Sequence, residues 1–320
     1  MTELSKSELL AQTVIRGQND FLFFTDHEAI EQVSGAVPLN AEELDVWTRT
    51  LSGRYEWCSQ RGIEVRFLFV PEKHVVYSDY LPDTEISENR PVVQILNSLP
   101  GQVREACMYP VDQLKAARET RELYYKTDTH WNNWGGFFAY DLLMDSLPAH
   151  LDLQKVTEGD LKVTQRKIIG DLGVRLEPEE EERADVLAHA TELPFKRIFD
   201  NAVFSRGNTS VFISPRVKAP RVVVFRDSFF NYILPHMIPV FSRTVAVSSL
   251  DMHYDLVESE KPDLVIFEMI ERFVGNNDSS GKRVLPTDGE GTFSALAGVA
   301  LDELRPQVNW LNCEETPAGQ

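Results

Sequence analysis

The sequence predicts an α/β fold, a mainly parallel sheet between layers of helix. Three observations carry this expectation. Residues 64–70, 221–225, 243–247 and 262–268 are short runs rich in β-branched and aromatic residues, as in strands covered on both faces. Between such runs lie stretches with helical apolar spacing, clearest at 41–61, where Leu44, Trp47, Leu51, Tyr55 and Cys58 recur at three- and four-residue steps. Finally, a helix, the stop Gly62, a strand and the loop opened by Pro71 follow one another directly, the order of an α/β sheet. With 320 residues and 42% hydrophobic content, the chain reads as one domain over 1–320, with an insertion at about 151–220.

In chain order, residues 4–16 are expected to form a short helix, and 17–24 a turn and a strand. Asn40 is placed to cap the 41–61 helix, with Glu42 and Glu43 in its first turn. Short helices are expected at 90–99 and 111–118, with a short strand at 106–109. A helix over 134–147 follows, capped by Asn132 or Asn133. The stretch 151–220 carries short antiparallel strands at 166–169 and 211–213. Its acidic run, Glu177 and Glu179 to Glu182, reads as a solvated surface loop. From 221 strands alternate again with short helices, 275–290 is a loop, and 292–311 is weakly helical.

Net charge is −18 and the pI about 4.8, without a Lys/Arg-rich run, so a nucleic-acid partner is excluded. Cys58, Cys107 and Cys313 form no C-x-x-C and cannot all pair, which leaves room for one disulfide but not for a disulfide framework. No run reaches the roughly 20 apolar residues of a membrane helix. The polar N-terminus has no basic-then-apolar leader and reads as that of a cytoplasmic protein or of a trimmed mature form, the starting Met favouring the first.

Chemistry concentrates at Asp128-Thr129-His130-Trp131. On an extended segment, side chains at i and i+2 share a face, so a carboxylate and an imidazole can serve one pocket as orienting acid and base. Ser228, just past the 221–225 strand, is the candidate nucleophile, because sites of open α/β sheets lie at the carboxyl ends of strands. Its plainer reading is a helix N-cap. D-x-H also supplies metal ligands in some phosphoesterases, but His74, His236 and His253 lack ligand spacing, and no metal or organic cofactor is expected. Gly275-Asn276-Asn277-Asp278 matches an oxyanion element of some serine esterases only superficially and reads as a turn.

These residues carry a family resemblance. Residues 17–23 (GQNDFLF), 70–77 (VPEKHVVY), 125–131 (YKTDTHW), Asp227-Ser228-Phe229, and 261–268 with Glu271 and Arg272 resemble the SGNH-hydrolase-like domain of the bacterial alginate O-acetyltransferases of exopolysaccharide acetylation. The resemblance implies a flavodoxin-like three-layer α/β/α sandwich. It implies Ser228 as nucleophile, His130 as base and Asp128 as orienter, passing an acetyl group through an acetyl-serine to a carbohydrate hydroxyl. The acetyl donor would be delivered by another protein, and the setting would be periplasmic. Arg226, Trp131, Tyr125 and Arg272 are expected to meet the substrate, with Trp131 and Trp134 as exposed platforms for sugar rings. Arg226 stands where the family usually has glycine, and would either crowd the oxyanion region or bind a sugar carboxylate. A carbohydrate acetylesterase, a non-catalytic polysaccharide-binding protein and a metallohydrolase are the competing readings.

Overall fold

A computed structural model describes residues 10–304 except Pro82, Glu192, Leu193, Ser279, Gly289 and Glu290. Its strands are β1 (Val14–Arg16), β2 (Leu22–Phe24), β3 (Glu64–Val70), β4 (Cys107–Met108), β5 (Leu161–Ile168), β6 (Glu182–His189), β7 (Lys196–Asp200), β8 (Thr209–Ile213), β9 (Arg221–Arg226), β10 (Arg243–Ser248) and β11 (Leu264–Ile270). The helices are α1 (Ala29–Val33), α2 (Ala41–Ser59), α3 (Lys73–Val76), α4 (Pro91–Ser98), α5 (Gly101–Glu105), α6 (Val111–Ala117), α7 (Asn133–Asp145), α8 (Leu234–Met237), α9 (Tyr254–Glu260) and α10 (Phe293–Ala297).

The main sheet runs β4-β3-β11-β9-β10-β8-β7. The five strands from β4 to β10 are parallel, and β8 and β7 add antiparallel at one edge. Strand side chains alternate between faces. Leu68, Val70, Val222, Val224 and Ile266 join Trp131, Phe137, Tyr140 and Phe229 in one core. Phe67, Phe69, Val223, Phe225 and Val265 join Trp47, Leu51, Ile95 and Leu256 in the other. The result is the three-layer α/β/α arrangement the sequence led us to expect. Continuous apolar runs mark β9 and β11 because both faces are covered.

Asn40 caps α2 in full: its side chain accepts from the amides of Glu42 and Glu43, and Glu43 returns a bond to the Asn40 amide. Asn132 caps α7 through the Gly135 amide. Residues 151–220 divide in two. β5 and β6 form a separate antiparallel hairpin, while β7 and β8 complete the edge of the main sheet.

Three expectations need correction or restriction. Within the expected 4–16 helix, Val14–Arg16 is a strand paired with Leu22–Phe24, because the turn at 17–21 returns the chain on itself; residues 1–9 lie outside the described residues. The 292–311 stretch holds α10 and a 3-10 turn at Leu301–Leu304, and its remainder, like Cys313, also lies outside them. Cys58 and Cys107 are buried free thiols. No helix among the described residues is long and apolar enough to cross a membrane.

Candidate active site

Ser228 lies two residues past β9, and its side chain is open to solvent. It does not cap the 3-10 turn Ser228–Tyr232. Asp227 does, accepting from the Phe229 amide at 2.8 Å. The second Asp227 oxygen accepts from the Ile270 amide of β11 at 2.7 Å, and the Asp227 amide donates to Glu268 at 3.0 Å. The turn is thereby tied to the neighbouring strand, leaving the Ser228 hydroxyl facing outward.

Asp128 and His130 sit on a loop between Tyr124 and Trp131, which bridge each other antiparallel. The expected extended segment is not observed, because 126–130 bends sharply. The Asp128 carboxylate closes the bend. Its Oδ1 accepts from both the His130 amide (2.9 Å) and the ring Nδ1 (2.7 Å). The other ring nitrogen, Nε2, lies 2.7 Å from Ser228 Oγ. Three side chains picked from spacing and strand-end position thus form one continuous hydrogen-bonded relay.

The relay is supported by residues that no local pattern marks. Asp171 donates its amide to Asp128 Oδ2 (3.0 Å) and accepts from the Thr129 amide (2.7 Å) and hydroxyl (2.6 Å). Glu182 accepts from the amides of Lys126 and Thr127 and from the Thr127 hydroxyl. The acidic run is therefore solvent-exposed at Glu177–Glu179 but joins the site at Glu182. Lys73, which opens α3, donates to the carbonyls of Asp128 (2.6 Å) and Tyr125 (3.0 Å).

Burial alone would raise the Asp128 carboxyl, but the hydrogen bonds and charge of His130, with the Asp171 amide, outweigh it and hold the group at about 2. Burial drives Glu268 well above the usual carboxylate range, and the adjacent Asp227 adds to the rise. Among the described residues, Asp128, His130 and Asp171 are the metal-like cluster, their ligand atoms within 4.8 Å of one another. All four carboxylate oxygens already accept hydrogen bonds, from His130, the Asp171 amide and Thr129, a donor arrangement suited to orienting an imidazole.

Two glycines permit the close approaches around the site, Gly170 to the Asp128 loop and Gly136 to the serine turn. A Cβ at Gly170 would lie 2.2 Å from the Thr127 oxygen, and one at Gly136 would lie 2.3 Å from Tyr232 Cβ, on the serine turn.

A cleft of about 690 Å³ opens beside Ser228, with Asn208, Arg226, Asn231, Phe204, Phe273 and Leu250 among its walls. Of the four expected substrate contacts, Arg226 alone is among the residues lining it. Its guanidinium donates to the Asp227 carbonyl (3.2 Å) and Asn208 Oδ1 (3.1 Å). Trp131 is fully buried, its indole nitrogen donating to the Phe229 carbonyl at 2.9 Å, so it presents no face for stacking. Trp134 is likewise buried, bonded to Asp185 and covered by the Arg121 guanidinium at 3.5 Å. Tyr125 is buried and accepts from Asn133, and Arg272 is buried in an ion pair with Glu72. Asn276 and Asn277 bind His27 and Glu28. Phe204, 96% exposed at the cleft rim, is the aromatic that sequence reasoning missed, since no periodicity marks a lone ring in a loop.

Comparison with known proteins matches residues 14–200 to the family described as SGNH hydrolase-like domain, acetyltransferase AlgX. That match includes Asp128 and His130 and ends before Ser228. A curated relative, a probable alginate O-acetylase AlgJ of Pseudomonas putida, is 26% identical over 140 residues. The aligned segment covers 42% of this chain and about a third (34%) of that relative's length. Among solved structures, PatB1 of Bacillus cereus superposes with a TM-score of 0.64 at 16% identity, covering 83% of this chain and 97% of that one. The O-acetyltransferase domain of Pseudomonas putida AlgJ superposes with a TM-score of 0.51 at 17% identity, covering 83% and 94%. At such identities the superpositions speak to the fold.

Proposed function

The chain belongs to the SGNH hydrolase-like acetyltransferase family of AlgX, and from that premise we propose that it transfers an acetyl group to a carbohydrate hydroxyl through an acetyl-serine at Ser228. The observation that carries this reading is the Asp128–His130–Ser228 relay, with both links at 2.7 Å, opening on the cleft.

In the first half-reaction His130 Nε2 takes the Ser228 proton as Oγ attacks the acetyl carbonyl. Asp128 accepts from the Nδ1 proton and stabilises the imidazolium. The imidazolium protonates the departing donor group, leaving acetyl-Ser228. In the second half-reaction the same nitrogen takes the proton of the acceptor hydroxyl, which attacks the acetyl-serine; the ester passes to the sugar and Ser228 recovers its proton. The Phe229 amide is already bonded to Asp227, so the oxyanion falls to the Ser228 amide. Asn231 lies one 3-10 turn on, where side chains eclipse, and lines the cleft beside it. An acetyl donor delivered by a partner protein belongs to the same proposal. Hydrolysis is the second reading, favoured by the solvent exposure of Ser228.

The test is intact-mass analysis after incubation with p-nitrophenyl acetate. Wild type should gain one acetyl, about 42 Da, mapped to Ser228, and S228A and H130A should not. Adding an acceptor oligosaccharide should move the label to sugar. Loss of the label to water at an unchanged rate would make the protein an esterase, and a folded wild type that never acquires the adduct would overturn the reading.

A further inference from the structure

Lys73 is a cation in the protein interior, 2% exposed, directly behind the loop that displays Asp128 and His130. Its Nζ lies 2.6 Å from the Asp128 carbonyl, 3.0 Å from that of Tyr125 and 3.4 Å from that of Lys126. An ammonium has three donors, and here they converge on the carbonyls of one short loop. The rings of Phe21 and Phe23 flank it, 5.8 and 5.5 Å from Nζ.

We propose that Lys73 is a positioning residue for acyl transfer: its charged ammonium holds the 125–128 loop in the bend that sets His130 on Ser228, and supplies positive charge behind the Asp128 carboxylate. The proposal rests on the acyl-transfer reading given above.

The energetics separate this role from ordinary structural support. Burial lowers the Lys73 pKa to about 8, although Asp128, Asp171, Glu182 and Glu72 all act to raise it. The unfolded lysine binds its proton more tightly than the folded one. Keeping the charge therefore disfavours folding below about pH 8, and that penalty is relieved as pH rises toward the ordinary lysine value. An apolar side chain there would avoid that cost but would leave the loop carbonyls of Tyr125, Lys126 and Asp128 without this donor. The charge is held against a cost at the one loop that carries the candidate acid and base. Glu72, beside Lys73 in sequence, is neutralised by Arg272 at 2.6 Å, which leaves Asp128, Asp171 and Glu182 as the acids the ammonium balances.

The experiment compares wild type with Lys73→Met, an unbranched apolar side chain of similar reach. The rate of Ser228 acetylation by p-nitrophenyl acetate is followed by mass spectrometry between pH 5.5 and 10. Urea midpoints are measured at pH 7 and 10. Wild type should lose acylation rate as pH rises through about 8. K73M should be on the order of 100-fold slower at pH 7, the cost of a small misplacement of the base, and should lack the alkaline fall. The wild-type urea midpoint should gain on that of K73M between pH 7 and pH 10. A K73M rate equal to wild type, or one lowered uniformly with the alkaline fall intact, overturns the proposal and leaves the acyl-transfer reading standing. So does a wild type whose rate is flat through pH 8, a result that needs no variant. Absence of any wild-type adduct overturns both together.

Discussion

Replacing Gly170 by alanine would test whether the placement of the Asp128 loop governs the chemistry. The added Cβ would lie 2.2 Å from the Thr127 oxygen, 2.4 Å from its carbonyl carbon and 2.5 Å from Asp128 Cβ, where ordinary contact begins at 3.4 Å. The opposing atoms are backbone and a Cβ, so no flexible tip can turn aside. One of the two segments must move by more than about 1 Å; the loop is tethered on its other sides by Lys73 and Glu182, and Asp171 bonds it to the Gly170 segment itself. Movement therefore falls on the 2.7 Å contacts of His130 with Asp128 and Ser228. A misplacement of about 1 Å costs on the order of 100-fold in rate, and overpacking of this kind costs roughly 1–3 kcal/mol in stability. The assay is the rate of Ser228 acetylation by p-nitrophenyl acetate, with urea unfolding beside it. Gly53→Ala is the control. That glycine lies within α2 with nothing inside 4 Å of the new methyl, so the variant should gain up to about 1 kcal/mol and keep the wild-type rate. A folded G170A acylating within about twofold of wild type would refute the reasoning.

Two further outcomes follow from single residues. Phe204→Ala should leave acetyl-serine formation unchanged and raise the acceptor KM roughly five- to tenfold, since covering one face of a 96% exposed ring is worth on the order of 1 kcal/mol; a slower first half-reaction with unchanged acceptor dependence would sink it. Burial raises the Glu271 carboxyl to about 7 in spite of Arg90, Tyr109 and the Glu72 amide. The folded group therefore holds its proton more tightly than the unfolded one, and the stability it contributes is complete below about pH 4.5 and lost as pH rises through about 7, on the order of 3 kcal/mol in all. Urea titrations from pH 4 to 8 should show wild type losing that much relative to Glu271→Gln, and parallel curves would contradict it.

The sheet strands were legible because β3, β9, β10 and β11 carry apolar residues on both faces, which sets them apart from the helices without any tertiary knowledge. Asn40 was legible as a cap because capping is local. Ser228 and the Asp128–His130 pair were legible because a strand end and a two-residue spacing each restrict chemistry. The spacing picked out side chains that do meet, though for an incomplete reason, since a side-chain-closed bend unites them rather than an extended backbone. Asp171, Glu182 and Lys73 could not be read, because each reaches the loop from 42 to 55 residues away in sequence, and such contacts exist only after folding. Trp131 misled because an aromatic beside a polar motif reads as a sugar platform, while its indole proton is committed to a buried carbonyl.

That commitment explains how the two halves of the site stay in register. The base half is built from residues between Glu72 and Glu182, and its backbone is matched group by group to side chains: carbonyls to Lys73, amides to Glu182, Asp171 and Asp128. The nucleophile half, Ser228 with Asp227 and Glu268, belongs to β9 and β11. The halves are linked by the hydroxyls of Tyr125 and Tyr232 and, behind them, by Glu72 with Glu271 and Arg272. Under the proposed acyl transfer the His130–Ser228 proton moves in each half-reaction, so that bond is a poor tether. The bond from Trp131 to the Phe229 carbonyl spans the gap one residue from each partner and carries no transferable proton. The His130 ring rests on Phe229 with centroids 4.5 Å apart, and Gly136 admits Tyr232 at backbone range. The tryptophan beside the motif is therefore one of the joints between the halves rather than a platform.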